Sequence, residues 1–154
     1  MQNNYNASLF NADDNDAIIE RINKLSSSSP AKWGKMNVAQ MLVHCQQPLK
    51  VATGELVLKH SFIGFLFGKM MKKKFLHGKE FAKNLPTDKS FIISDAREFE
   101  KEKANLIVLI APYKTQKSSI IKNENHPFFG KMTPVEWAAL SWKHLDHHLM
   151  QFEV

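Results

Sequence analysis

A chain of 154 residues, 44% hydrophobic and 23% charged, is sized for a single domain over residues 1–154 with a core of its own. One cysteine, Cys45, excludes an internal disulfide framework, and the polar N-terminus MQNNYNASLF lacks the basic-then-apolar pattern of a secretory signal, so a cytoplasmic location is expected. The net charge of +6 decides little about nucleic-acid or membrane partners, because several lysines cluster locally.

Residues 1–12 read as a loose, Asn-rich lead-in. Asp13, Asp14 and Asp16 put negative charge where a helix N-terminus favours it. Ile18, Ile22 and Leu25 give that first helix, near residues 13–25, its buried stripe. The tract SSSSPAKWGKM reads as a loop under which Trp33 can pack. Asn37 caps a second helix, near 37–56, in which Val38, Leu42, Cys45, Leu49, Ala52 and Leu56 step by four and three. Pro48 removes the hydrogen bond to the His44 carbonyl and predicts a bend there. Gly54 fits either the fraying end of this helix or a small residue within it.

Residues 60–76, HSFIGFLFGKMMKKKFL, run apolar and then basic. The apolar part is far too short for a bilayer span, which needs about 20 residues. It reads as an excursion between helices two and three, with Phe65, Phe67 and Phe75 capping the core and Lys72, Lys73 and Lys74 facing water. An amphipathic surface anchor is the other reading. The next stretch, HGKEFAKNLPTDKS, carries loop signals, and Phe91 to Asp95 (FIISD) is short and β-favouring. Ser94 or Asp95 starts a third long helix, near 95–112. Its inner face is Ala96, Phe99, Leu106, Ile110 and Tyr113, interrupted by Lys103, and Pro112 predicts a kink or an early end. Residues 114–132 form a long connection around the motif HPFFG.

The last helix, near 133–152, announces itself. Thr133 caps it, Pro134 suits its first position, and Glu136 completes a capping box. Ala138, Trp142, Leu145, Leu149 and Phe152 form its apolar stripe. With no sustained period-two alternation, the expected fold class is all-α, a four-helix bundle.

The chemistry rests on histidines. His144 and His148 lie one turn apart and share a helical face. His44 stands immediately before the core position Cys45, as His144 stands before Leu145, so packing the two stripes can bring these flanks together or, if the helices run antiparallel, carry them apart. Three neutral imidazoles, His44, His144 and His148, can hold a divalent metal and leave a position for substrate. His147 points roughly 60° to the other side of His144 and falls outside the set. The bland reading is of semi-buried histidines with ordinary hydrogen-bond partners. The sequence HLDHH lacks the glutamate of the HExxH metalloprotease motif, which sets that class aside. Cys45, about 100° around its helix from His44, reads as core. His126 is either an acid–base group over the site or a brace for the HPFFG turn, and the brace is preferred.

The blocks WGKMNVAQMLVHC (Trp33 to Cys45) and HPFFGKMTPVEWAALSWKHLDHHLMQF (His126 to Phe152) resemble a domain-of-unknown-function branch of the DinB/YfiT-like superfamily of metalloenzymes. The resemblance implies a four-helix bundle with a divalent metal, zinc or nickel, held by one histidine of an early helix and two of the last. Those positions match His44, and the pair His144 and His148 preceding Gln151. The resemblance also implies a thiol-dependent transferase or a hydrolase, with a small-molecule substrate or thiol, and is compatible with a homodimer. A non-catalytic bundle that binds a small ligand or metal is the alternative. The basic run Lys69 to Lys74 has no arginine and is expected to bind nucleic acid weakly, without sequence specificity.

Overall fold

The computed structural model describes residues 7–59, 62–78, 81–85 and 87–154. Readings that fall on residues 1–6, 60–61, 79–80 and 86, and on the side chains of 62–67, lie outside it, Phe65 and Phe67 included. Helix α1 spans Ala12–Lys24. The Asn11 side chain accepts from the Asp14 N–H, and Asp13 and Asp14 sit in the first turn, so side-chain capping and the helix dipole act together. Helix α2 spans Val38–Thr53 under a capping box of Asn37 and Gln40. It stops where Gly54 takes φ 80°, so this glycine is the end of the helix and Leu56 lies beyond it.

Helix α3, Phe62–His77, corrects the reading of this region as an excursion. An apolar block followed by a basic one hides the helical period, and the sequence offers no clear N-cap. Packing gives the helix its place. At Gly68 the Phe128 carbonyl passes so close that a Cβ would sit 2.4 Å from it. Leu76 is buried, and Phe75 meets Phe81 and Phe129 with ring centroids 4.8 and 5.4 Å apart. Lys73 and Lys74 face water, but Lys72 does not do so freely. It pairs with Glu136 at 2.9 Å and donates to the Lys131 carbonyl at 3.0 Å.

Helix α4 spans Phe99–Ile110, starting four residues later than Asp95, and Ala96 is exposed rather than on the inner face. Asp95 is engaged with Arg97 instead of capping, and FIISD, whose Phe91 closes a 3-10 turn begun at Lys89, forms no strand. The early end follows from Pro112, which has no N–H to continue the ladder. A single turn, α5 (Tyr113–Gln116), restarts beyond it. The long connection then holds an antiparallel hairpin, β1 (Asn125–His126) and β2 (Gly130–Lys131), with His126 opposite Gly130. Helix α6, Pro134–Gln151, opens with the capping box of Thr133 and Glu136.

The described chain is mostly helical, and its sheet structure is that one small hairpin. Helices α1, α2, α4 and α6 pack around one apolar cluster that includes Ile18, Ile22, Leu42, Leu49, Leu106, Ile110, Leu145 and Leu149. A second cluster joins α3 and the hairpin to the other side of α6 through Leu76, Phe129, Met132, Trp137 and Leu140. Helix α6 is therefore buried on two faces, so Lys143 and His147, which lie off the predicted stripe, are buried as well. Among the described residues, no helix is long and apolar enough to cross a membrane.

Candidate metal centre

The apolar stripes of α2 and α6 face the same core, and the residues just before Cys45 and Leu145 meet across it. His44, His144 and His148 each offer a ring nitrogen, and these nitrogens all lie within 4.8 Å of one another. Ring centroids are 5.0 Å apart for His44 and His144, 4.6 Å for His44 and His148, and 4.7 Å for His144 and His148. His44 and His148 are buried and His144 is half-buried.

The outer nitrogen of His44 decides what its inner one can do. His44 Nδ1 lies 2.9 Å from the Phe91 carbonyl oxygen, which only accepts, so Nδ1 carries the proton and Nε2 carries a lone pair. That Nε2 lies 3.1 Å from His144 Nε2, a hydrogen bond in which His144 must be the donor. Two imidazole nitrogens on one tetrahedral zinc-like ion would stand about 3.3 Å apart, so a small opening of this pair admits an ion. On the other flank, His148 Nδ1 lies 2.9 Å from Gln151 Oε1, and Gln151 Nε2 donates to the Trp33 carbonyl at 2.6 Å.

Electrostatics favour three neutral rings. Burial lowers the pKa of His44, against a smaller raising effect of the Phe91 carbonyl. Burial, reinforced by the neighbouring histidines, holds His144 well below the usual histidine range and pushes His148 down to about 3. Neutral imidazoles are the form that ligates a cation, so donor type, spacing and charge state fit a divalent ion, and for His144 to ligate through Nε2 its proton must pass to Nδ1.

His147 is not one of the three. It is buried beside His148, with ring centroids 5.7 Å from Trp33 and 5.8 Å from Phe81. His126 is engaged in the hairpin. Its Nδ1 accepts the N–H groups of Phe128 and Phe129, both at 3.1 Å, and its ring stacks on Phe129. Burial holds its pKa down at about 4. Cys45 is buried against Met41, and burial pushes its thiol up, away from nucleophilic character.

The sequence reading missed the partners of these histidines. A backbone carbonyl such as that of Phe91 has no residue-type signature. Gln151 had one: it stands three residues after His148, on the same face of the helix.

A mostly helical chain with three convergent histidines from two helices is thus a candidate metal-binding protein. It belongs to the family described as Protein of unknown function (DUF1569), which matches it over residues 5–154. No curated protein and no solved structure matches it significantly.

Proposed function

We propose that His44, His144 and His148 hold one divalent metal ion, zinc or nickel, and that the chain is a metal-dependent enzyme of the transferase or hydrolase class. In this reading α1, α2, α4 and α6 are a DinB/YfiT-like four-helix bundle forming one domain over residues 1–154. One observation carries it: histidines 100 residues apart in sequence meet at 3.1 Å, while the outer nitrogen of His44 is held by Phe91 and that of His148 by Gln151. The ion would supply Lewis acidity at a coordination position left open by three protein ligands. The chain's own residues keep the three rings neutral, orient two of them through Phe91 and Gln151, and surround them with buried side chains. The substrate is a small molecule or thiol, taken at the coordination position that three protein ligands leave open.

The alternative is a bundle that binds a metal or small ligand without turning it over. It is favoured by the commitment of His126 Nδ1 to the hairpin, which removes the acid–base candidate of the long connection. Protein purified without a histidine tag should carry about one equivalent of metal by mass spectrometry, or take it up on titration with zinc, nickel or manganese. Stoichiometric uptake of none of these ions would sink the proposal. Turnover of thiol or ester substrates by the loaded protein separates the enzyme from the binding protein.

A further inference from the structure

We infer that Gln151 is a positioning residue that fixes the tautomer of His148, under orders from the backbone of the loop before α2. The inference rests on the metal reading above only for its purpose, not for its geometry. The Trp33 carbonyl can only accept, and Gln151 reaches it at 2.6 Å, so the amide nitrogen must be the atom that points there. The amide oxygen then faces His148 Nδ1 at 2.9 Å and accepts its proton. His148 Nε2 is left with a lone pair, directed away from Gln151. One backbone carbonyl thereby sets the protonation pattern of a ring it does not touch.

Two features hold this relay in place. Gln151 is 2% exposed, so its amide is shielded from bulk solvent. Gly34 takes φ 80°, and a Cβ there would stand 2.7 Å from Gln151 Nε2, so the tight approach needs a residue without a side chain. The Lys32 N–H also donates to the Gln151 carbonyl at 2.8 Å, fastening the loop to the same residue. His44 reaches the same proton pattern by a different route, through Phe91. The chain therefore fixes two of its three candidate ligands by backbone carbonyls from separate loops, one directly and one through an amide.

The test uses the full chain with two substitutions. Gln151→Met keeps the volume and removes the acceptor. Gln151→Glu keeps an acceptor for His148 but turns a carboxylate oxygen towards the Trp33 carbonyl. In metal-free protein, long-range proton–nitrogen NMR should show His148 as the Nδ1–H tautomer in the wild type and in Gln151→Glu, and a mixture in Gln151→Met. Zinc affinity, read by competition with a chromogenic chelator, should fall about 10- to 100-fold in Gln151→Met, the range typical for loss of an outer partner. Gln151→Glu should restore most of it. A wild-type tautomer with unchanged zinc affinity in Gln151→Met overturns the inference. So does a Gln151→Glu protein as weak as Gln151→Met, because the amide would then be only a staple for the loop. If the wild type binds no metal at all, the metal reading fails by itself, and the NMR comparison still decides the role of Gln151.

Discussion

At the scale of single residues, the three candidate ligands differ from His147 and His126 in what their nitrogens face. His44, His144 and His148 turn nitrogens towards one another, whereas His147 lies between Trp33 and Phe81. Replacing His44, His144 or His148 singly by Ala should lower zinc affinity by at least the 10- to 100-fold typical of an outer partner. His147→Ala should leave affinity nearly unchanged while lowering thermal stability, since it empties a buried aromatic contact. Calorimetric titration of the four variants checks both halves. His126 makes a separate prediction about pH. Its pKa of about 4 in the folded chain lies below the ordinary value near 6.5, so between these pH values the unfolded chain binds more protons. The stability it confers is present above about pH 6.5 and is lost as pH falls through about 4. His126→Ala leaves the Phe128 and Phe129 N–H groups without their acceptor and should cost about 1–3 kcal/mol at neutral pH. The gap between variant and wild type in urea midpoints should shrink as pH falls from 6.5 towards 4. A gap independent of pH would mean that the ring is not buried neutral.

At the scale of elements, two lysines act as helix C-caps. Lys143 donates to the Phe75, Leu76 and Gly78 carbonyls at the end of α3, at 3.2, 2.7 and 2.8 Å. Lys103 reaches the Asn23 and Leu25 carbonyls at the end of α1, at 3.0 and 3.1 Å. Each brings a cation to the negative end of a helix dipole and satisfies carbonyls the helix cannot. Lys103, an interruption in the apolar pattern of α4, has its reason here. Lys143→Met should cost about 1.5–3 kcal/mol, the range for hydrogen bonds to a charged group, with α3 amides losing protection first. Uniform loss of protection across all helices would contradict a local cap. These devices also mark what the sequence could show. Helices α2 and α6 were legible because cap residues and one apolar stripe coincide within each. Helix α1 was legible from its acidic first turn and stripe, although its cap Asn11 lay in the stretch read as a loose lead-in. Helix α3 was not, because its burial depends on the hairpin passing over Gly68, a contact made between segments about sixty residues apart. The matching positions of His44 and His144 beside core residues allowed convergence but also divergence in antiparallel helices, and the family resemblance was what favoured convergence. The Phe91 carbonyl was not, because a main-chain acceptor is the same whatever residue carries it.

At the scale of the whole molecule, the 21 lysines and arginines are less available to a partner than their number suggests. Lys72 pairs with Glu136, Arg21 with Asp146 at 2.6 Å, and Lys143 is buried in its cap. Nucleic-acid binding through the remaining lysines of α3 should be weak and should fade between low and moderate salt, as counterion release requires. Tight binding that survives moderate salt, and is abolished by neutralising Lys73 and Lys74, would overturn that expectation.

The site also bears on the stability of the entire fold. His44 belongs to α2, while His144 and His148 belong to α6, so an ion held by all three ties together two helices that share the main core. Such a site exists only when both helices are docked, and a ligand that binds only the folded state stabilises it by mass action. At a free zinc concentration 100 times the dissociation constant, the gain is about 2.7 kcal/mol. For a domain of this size that corresponds to a rise in Tm of about 5–10 °C. His44→Ala should abolish the rise without unfolding the metal-free protein, because His144 and His148 alone lie on a single helix and leave α2 untied. If zinc raised the Tm of wild type and His44→Ala equally, the ion would be bound within α6 or elsewhere, and the two-helix site would be wrong.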